Sequence, residues 1–220
     1  LATLAKDADG IMTCFAQVTP RVVEAAKKCL VISRYGVGVD NIAVDTATQE
    51  GIVVTYVPDY CTEEVSNHVM ALLLTWNRQI GFYDQVAKQG QWGGIGSPVP
   101  LTRLRGQKLG ILGLGRIGRA VAEKARAFGM EVLGYDPYWE ADQSTTLGVR
   151  LMDLGSLLKY ADYVTVHTPL NQQTQGLIGA DQFAVMKRNA FIINCARGPI
   201  IDETALYDAL RNGLIAGAGL

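Results

Sequence analysis

Histidine is scarce in this sequence and cysteine is scattered. The two histidines, His68 and His167, and the four cysteines, Cys14, Cys29, Cys61 and Cys195, form no CxxC pair and no metal-ligand spacing. So few ligands argue against a zinc or other metal site, and none is expected. Reduced thiols in a cytoplasmic protein are the economical reading of such cysteines. Long apolar runs are missing too. Val69 to Leu74 is among the longest, far below the roughly 20 residues that a membrane-spanning helix needs. No signal-peptide pattern opens the chain. Runs of Lys or Arg are absent and the net charge is -1, which argues against a dominant nucleic-acid surface. Neither a membrane nor a nucleic acid is therefore an expected partner. What is present is a chain of 220 residues, 49% hydrophobic and 19% charged, the composition of a packed globular protein. It is too long for one average domain and short for two large ones.

Strand-like and helix-like stretches alternate throughout. Ile11 to Cys14 reads as a strand, and Thr19 then caps a helix with Pro20 at its first position, where the missing N–H costs nothing. Leu30 to Ser33 is the next strand, followed by a glycine loop, a helix from about Asn41 to Glu50 and a strand from Ile52 to Tyr56. Thr62 to about Lys88 reads as one long helix, with Glu63 and Glu64 in its first turn to suit the dipole. Its apolar residues Leu72, Leu73, Leu74 and Trp76 exceed one buried stripe, so a homodimer is expected through this helix. Gly90 to Pro100 holds four glycines and two prolines, which makes it the candidate hinge between domains.

The second half repeats the alternation. Strands are expected at Lys108 to Leu112, Glu131 to Tyr135, Tyr163 to Val166 and Ala190 to Asn194. Helices fall at Arg116 to Phe128, Leu154 to Tyr160, Asp181 to Met186 and Glu203 to Asn212. Near-continuous apolar strands such as Ala190 to Ile193 imply burial on both faces, as in a parallel sheet. The expected class is α/β with two Rossmann-like, doubly wound parallel-sheet domains. Leu1 to Lys6 reads as the end of a helix, and Gly217 to Leu220 stops inside a strand. Both domains are therefore expected to be incomplete, the chain being an internal fragment.

Gly113-Leu114-Gly115-Arg116-Ile117-Gly118 follows an expected strand and opens an expected helix. GxGxxG alone is a weak signal, but here each glycine has a task. Gly113 permits the tight turn, Gly115 lets a pyrophosphate approach the backbone, and Gly118 lets the helix pack on the strand. The helix N-terminus supplies N–H donors to the anion. Asp136, about twenty residues on, ends the next strand where an acid binds the ribose hydroxyls. Its carboxylate would repel the extra phosphate of NADP, so NAD is the expected cofactor.

Other residues leave alternatives open. The loop Arg34 to Asn41 can cradle a carboxylate with exposed N–H groups, or it can be an ordinary tight turn. Arg197, after a buried strand, either grips a carboxylate with two parallel hydrogen bonds or is a solvated loop residue. His167 can be a proton donor or, more plainly, a strand-end residue tied to backbone. Cys195 raises the idea of thiol-based aldehyde oxidation, but only Arg197 is near enough in sequence to lower its pKa. That reading is set aside.

Taken together, Arg34 to Asn41, Leu109 to Gly118, Tyr135 to Tyr138, Val166 to Leu170 and Ile193 to Glu203 resemble the D-isomer-specific 2-hydroxyacid dehydrogenases, in order and over essentially all of the chain. The resemblance implies a substrate domain over 1–100, with a linking helix at about 62–88, and an NAD-binding domain over 101–220. It implies substrate contacts at Tyr35, Gly36, Val37 and Gly38, with Val37 also touching the cofactor. Arg116 and Ile117 would meet the pyrophosphate and Asp136 the ribose. Thr168, Pro169 and Thr174 would line the adenosine side, while Cys195 and Ala196 run beneath the nicotinamide. Arg197 matches the family's catalytic arginine, which holds the substrate carboxylate. The implied substrate is a small 2-hydroxy or 2-keto acid.

Departures from the family pattern matter as well. The family's catalytic glutamate and histidine fall after the motif at Gly217 to Leu220, so these 220 residues alone are expected to show no turnover. An arginine that meets the substrate phosphate in phosphoglycerate dehydrogenases falls about where this chain has Cys14, which counts against a phosphorylated substrate. An NAD-sensing interaction protein, like the family's corepressors, is the alternative. Tyr135 to Tyr138 and Val57 to Cys61 are compatible with it.

Overall fold

In the computed structural model, residues 1–139 and 146–220 are described. The chain divides into two compact units, Leu1–Cys61 and Thr62–Leu220.

The first unit is a three-stranded parallel sheet, β1 (Gly10–Thr13), β2 (Val31–Arg34) and β3 (Val53–Thr55), in the order β1-β2-β3. The helices α1 (Ala2–Ala5), α2 (Pro20–Ala25) and α3 (Val44–Gln49) complete it. Val22, Val23, Ile32, Ala47 and Ile52 form its core. Pro20 does open α2, but the Thr19 side chain makes no cap bond, and its carbonyl alone receives the first N–H groups. The helix expected from Asn41 begins only at Val44. Asn41 is instead drawn into the loop after β1, where its Nδ2 donates to Cys14 O and Ala16 O.

The second unit opens with α4 (Thr62–Arg78) and α5 (Ile80–Lys88). One continuous helix was expected here, but Gln79 breaks it by taking a left-handed conformation, φ 52° and ψ 40°. Both its backbone N–H and its Nε2 then donate to the carbonyl of Trp76, which ends α4. The six parallel strands that follow are β4 (Lys108–Leu112), β5 (Glu131–Tyr135), β6 (Val149–Leu151), β7 (Tyr163–Val166), β8 (Phe191–Asn194) and β9 (Gly217–Gly219). Their order is β6-β5-β4-β7-β8-β9. The chain runs outward from β4 to β6, then returns beside β4 and runs outward the other way, leaving a switch point between β4 and β7.

Helices cover both faces of this sheet, as its alternating apolar residues require. Leu109 and Ile111 face α4 and α6 (Arg116–Ala127), packing with Val69, Leu73 and Val121. Leu112 and Ile192 face the other way, toward α7 (Leu154–Tyr160), α8 (Ala180–Val185) and α9 (Glu203–Arg211), whose Leu157, Phe183 and Leu206 join that cluster. Each fully buried Leu or Phe contributes about 1.5–3 kcal/mol. Because α4 buries Val69 and Leu73 in this core, the boundary between compact units falls at Cys61 and not in the glycine-rich stretch Gly90 to Pro100. No helix among the described residues is long and apolar enough to cross a membrane.

Candidate functional site

At the carboxyl end of β4 the backbone must turn sharply beside β7. Gly113 does so at φ +95°, and a Cβ there would lie 2.9 Å from both His167 C and Thr168 N. Its N–H donates to Tyr135 O at 2.9 Å, tying the turn to β5 as well. Gly115 is the N-cap of α6, and nothing lies within 4 Å of where its Cβ would be. Gly118, in the first turn of α6, sits against Gly113, whose carbonyl oxygen occupies the place a side chain would need. The three glycines thus divide the labour as their spacing suggests. Two allow close packing, and the middle one leaves the helix N-terminus open to an anion. Arg116 is exposed at the start of α6, while Ile117 packs against the sheet.

Asp136 is fixed at this turn by two backbone donors. Leu114 N–H donates to Oδ2 at 2.8 Å and Tyr138 N–H to Oδ1 at 2.9 Å. Each carboxylate oxygen keeps a further lone pair for a ribose hydroxyl. After β7, the Thr168 hydroxyl is buried and has no partner among the described residues, an orphan of the kind that ligand binding relieves. The following loop is tied internally, with the Thr174 hydroxyl donating to Pro169 O and accepting from Asn171 N–H. Tyr138 OH donates to Gln173 Oε1 at 3.2 Å, so the loops after β5 and β7 meet across the end of β4. These residues fit an adenosine diphosphate moiety.

Past β8, Asn194 shapes the next loop: its Nδ2 donates to Arg197 O at 2.9 Å and its Oδ1 accepts from Ala196 N–H at 3.0 Å. Arg197 Nη1 donates to Ala196 O at 2.9 Å. Arg197, Ala196 and Asn194 line a cavity of about 600 Å³. Cys195 is half-buried, and burial pushes its thiol pKa up. That is the opposite of what a nucleophilic thiol needs.

His167 also departs from a catalytic role. Its Nε2 lies 2.9 Å from Thr165 Oγ1, so the ring is tied to a side chain and not to backbone. Burial pushes its pKa down to about 4, leaving it neutral near pH 7. Among the described residues no group of three or more His, Cys, Asp or Glu is arranged to hold a metal.

Tyr35, Gly36, Val37 and Gly38 belong to the first unit. There Arg34 fills the inside of the loop, its Nε donating to Gly38 O at 2.9 Å and its Nη1 to Tyr35 O at 3.0 Å. Sequence reading missed Arg34 as the organiser of this loop, as it missed Asn194 and Tyr138. Only a cation directly preceding a glycine loop could have hinted at the first.

A doubly wound sheet with a glycine turn at β4 and an acid at the end of β5 defines a dinucleotide-binding unit of Rossmann type. Residues 70–220 match the NAD binding domain of the D-isomer specific 2-hydroxyacid dehydrogenases, and the chain belongs to that family. NAD is the cofactor of the matched domain. The chain is 45% identical to a D-3-phosphoglycerate dehydrogenase of Methanocaldococcus jannaschii, over 98% of this chain and 41% of the relative. It is 40% identical to a glyoxylate reductase of Korarchaeum cryptofilum, over 98% of this chain and 66% of that protein. The crystal structure of an Aquifex aeolicus D-lactate dehydrogenase complexed with NAD and lactic acid superposes with a TM-score of 0.94 at 31% identity, over 100% of this chain and 66% of the other. The chain spans about two fifths of the length of the phosphoglycerate dehydrogenase it matches.

Proposed function

We propose that the protein carrying this chain is an NAD-dependent oxidoreductase that interconverts a D-2-hydroxy acid and its 2-keto acid by hydride transfer. The observation that carries this reading is the shared edge of one sheet. Gly115, Asp136 and Arg197 all follow the carboxyl ends of strands β4, β5 and β8. NAD, when bound, supplies the hydride acceptor or donor. The N-terminus of α6, with Arg116 and Ile117, holds the pyrophosphate, Asp136 holds the ribose, and Thr168, Pro169 and Thr174 line the adenosine side. Cys195 and Ala196 run beneath the nicotinamide end. Arg197 grips the substrate carboxylate and orients its carbonyl. Tyr35 to Gly38 supply further substrate contacts. His167, held neutral, is given no part in proton transfer.

A cytoplasmic setting belongs to the same proposal, supported by four cysteines that all stand as free thiols. So does a homodimer through the α4 region, where Leu72, Leu74 and Trp76 are only partly buried. The relatives above are dehydrogenases and a reductase, and nothing in them supports a corepressor-like role. The test is NADH oxidation by the full-length protein with glyoxylate, hydroxypyruvate and pyruvate. Wild type should turn over at least one, and Arg197→Ala should lose most of kcat/KM without losing NADH binding. Equal turnover by Arg197→Ala would remove Arg197 from the mechanism.

A further inference from the structure

The sheet of the second unit has a second open end. Opposite the glycine turn, at the amino ends of β7, β8 and β9, lies a cavity of about 330 Å³ whose lining includes Trp76, Asn77, Pro100, Thr102, Tyr163 and Arg188. Its volume falls at the lower end of small-molecule sites, about 300–1,000 Å³. All of its lining residues belong to the second unit. Trp76 and Pro100 give it an apolar wall. The indole is fixed by stacking on Phe191, with ring centroids 4.6 Å apart. Gly217 leaves room for it, since a Cβ there would lie 2.7 Å from Trp76 Cη2.

The floor of the cavity is polar and only half satisfied. Asn77 and Tyr163 are each 5% exposed. Asn77 Nδ2 donates to Tyr163 Oη at 3.0 Å, to Thr102 O at 3.1 Å and to Thr102 Oγ1 at 3.3 Å, so its two protons are fully used. Among the described residues nothing donates to Asn77 Oδ1, and the Tyr163 hydroxyl has no acceptor for its proton. Asn77 Oδ1 is not sealed away. It opens into the cavity with the Tyr163 hydroxyl beside it, an acceptor next to a donor. A single ligand hydroxyl satisfies both, accepting from Tyr163 and donating to Asn77. At the exposed rim, before β8, Arg188 makes no hydrogen bond or ion pair among the described residues. Asp162 on the wall is already engaged, its Oδ1 accepting from Lys187 Nζ at 2.7 Å and its Oδ2 from Lys108 N–H at 2.8 Å. Arg188 is thus left to pair with an incoming anion, and a carboxylate matches its fork of donors.

We propose that this cavity binds a small aromatic carboxylate that carries a hydroxyl at the far end of its ring. Arg188 takes the carboxylate, the ring lies against Trp76 and Pro100, and the hydroxyl sits between Tyr163 and Asn77. A fixed indole receives a second ring with little ordering cost. The two polar groups of such a ligand stand a ring apart, whereas a 2-hydroxy acid has its hydroxyl and carboxylate on adjacent carbons. The cavity and the glycine turn lie at opposite ends of the same strands, so this ligand and NAD use separate contacts. The inference does not rest on the hydride-transfer reading.

The experiment is isothermal titration of the full-length protein with 4-hydroxyphenylacetate, phenylacetate and 4-hydroxyphenylethanol. Wild type should bind the first. Phenylacetate, which lacks the hydroxyl, should bind about 2- to 10-fold more weakly, the worth of a neutral hydrogen bond. The alcohol, which lacks the carboxylate, should bind about 10- to 150-fold more weakly, the worth of a bond to a charged group. Arg188→Gln changes an exposed, unpaired side chain, so the melting temperature should stay at the wild-type value. It should weaken 4-hydroxyphenylacetate by the same factor as loss of the carboxylate and leave the alcohol unaffected. Tyr163→Phe should bind 4-hydroxyphenylacetate and phenylacetate alike, and saturating NADH should displace neither. Absence of 4-hydroxyphenylacetate binding at millimolar concentration overturns the proposal. So does displacement by NADH, or an affinity that Arg188→Gln leaves unchanged. Equal affinity of wild type for 4-hydroxyphenylacetate and phenylacetate overturns it too, and that comparison stands even where Tyr163→Phe fails to fold.

Discussion

Replacing Gly113 and Gly115 by alanine, one at a time, should separate folding from cofactor binding at a single turn. Gly113 sits at φ +95°, and its added Cβ would press on the backbone of His167 and Thr168 at 2.9 Å. The conformational penalty is about 1–2 kcal/mol, and overpacking against backbone adds about 1–3 kcal/mol. A total near 3 kcal/mol lowers the melting temperature by roughly 6–12 °C for a protein of this size. Gly115, at φ -63°, has open space around it. Gly115→Ala should cost stability no more than about 1 kcal/mol, the change in N-cap preference. Its methyl group, however, enters the space through which the pyrophosphate must approach. If a clash of about 1–3 kcal/mol is transferred to the complex, NADH affinity falls by about 5- to 150-fold. Thermal melting of the free protein and fluorescence titration with NADH read the two effects separately. A Gly115→Ala variant that binds NADH like wild type would refute the placement of the pyrophosphate. A Gly113→Ala variant with unchanged melting would refute the close approach of β4 and β7.

Three further outcomes follow from the same structure. Asp136→Ala should weaken NAD binding and narrow the preference over NADP, because the carboxylate that repels a 2′-phosphate is gone; tighter NADP than NAD binding by wild type would contradict this. His167 is unprotonated in the folded protein down to about pH 4, while the unfolded chain takes the proton near 6.5, so its stabilising contribution is complete above about pH 6.5 and is lost between there and pH 4. The full loss is about 3 kcal/mol, and His167→Gln should flatten that part of the stability–pH curve in urea titrations; an unchanged slope would place His167 in water. Light scattering on the full-length protein should report a dimer mass, and a monomer mass at all concentrations would contradict pairing through the α4 region.

Much of the second unit was legible in the sequence because its elements obey local rules strongly. β4, β5, β7 and α7 have the bounds their apolar runs suggest, and the glycine turn needs φ > 0 and close packing that only glycine permits. The misses have tertiary causes. Gln79 is neither Gly nor Pro, and nothing local marks it as the residue that breaks α4 from α5. β6 is only three residues long, too short for a period-2 pattern to show. The start of α3 is delayed because Asn41 bonds across to Cys14 and Ala16, a contact invisible from neighbouring positions. The position of Asp136 directly after β5 was legible, but not its fixation by Leu114 and Tyr138 N–H groups.

Hydride transfer itself can be followed directly in the full-length protein. Given NADH carrying deuterium at both C4 positions of the nicotinamide and a 2-keto acid from the panel above, the product should be a 2-hydroxy acid of D configuration carrying one deuterium at C2, as read by mass spectrometry and chiral chromatography. A product of L configuration, or a 2-hydroxy acid without the label, would contradict the account, as would NADH that binds and is never oxidised by any 2-keto acid.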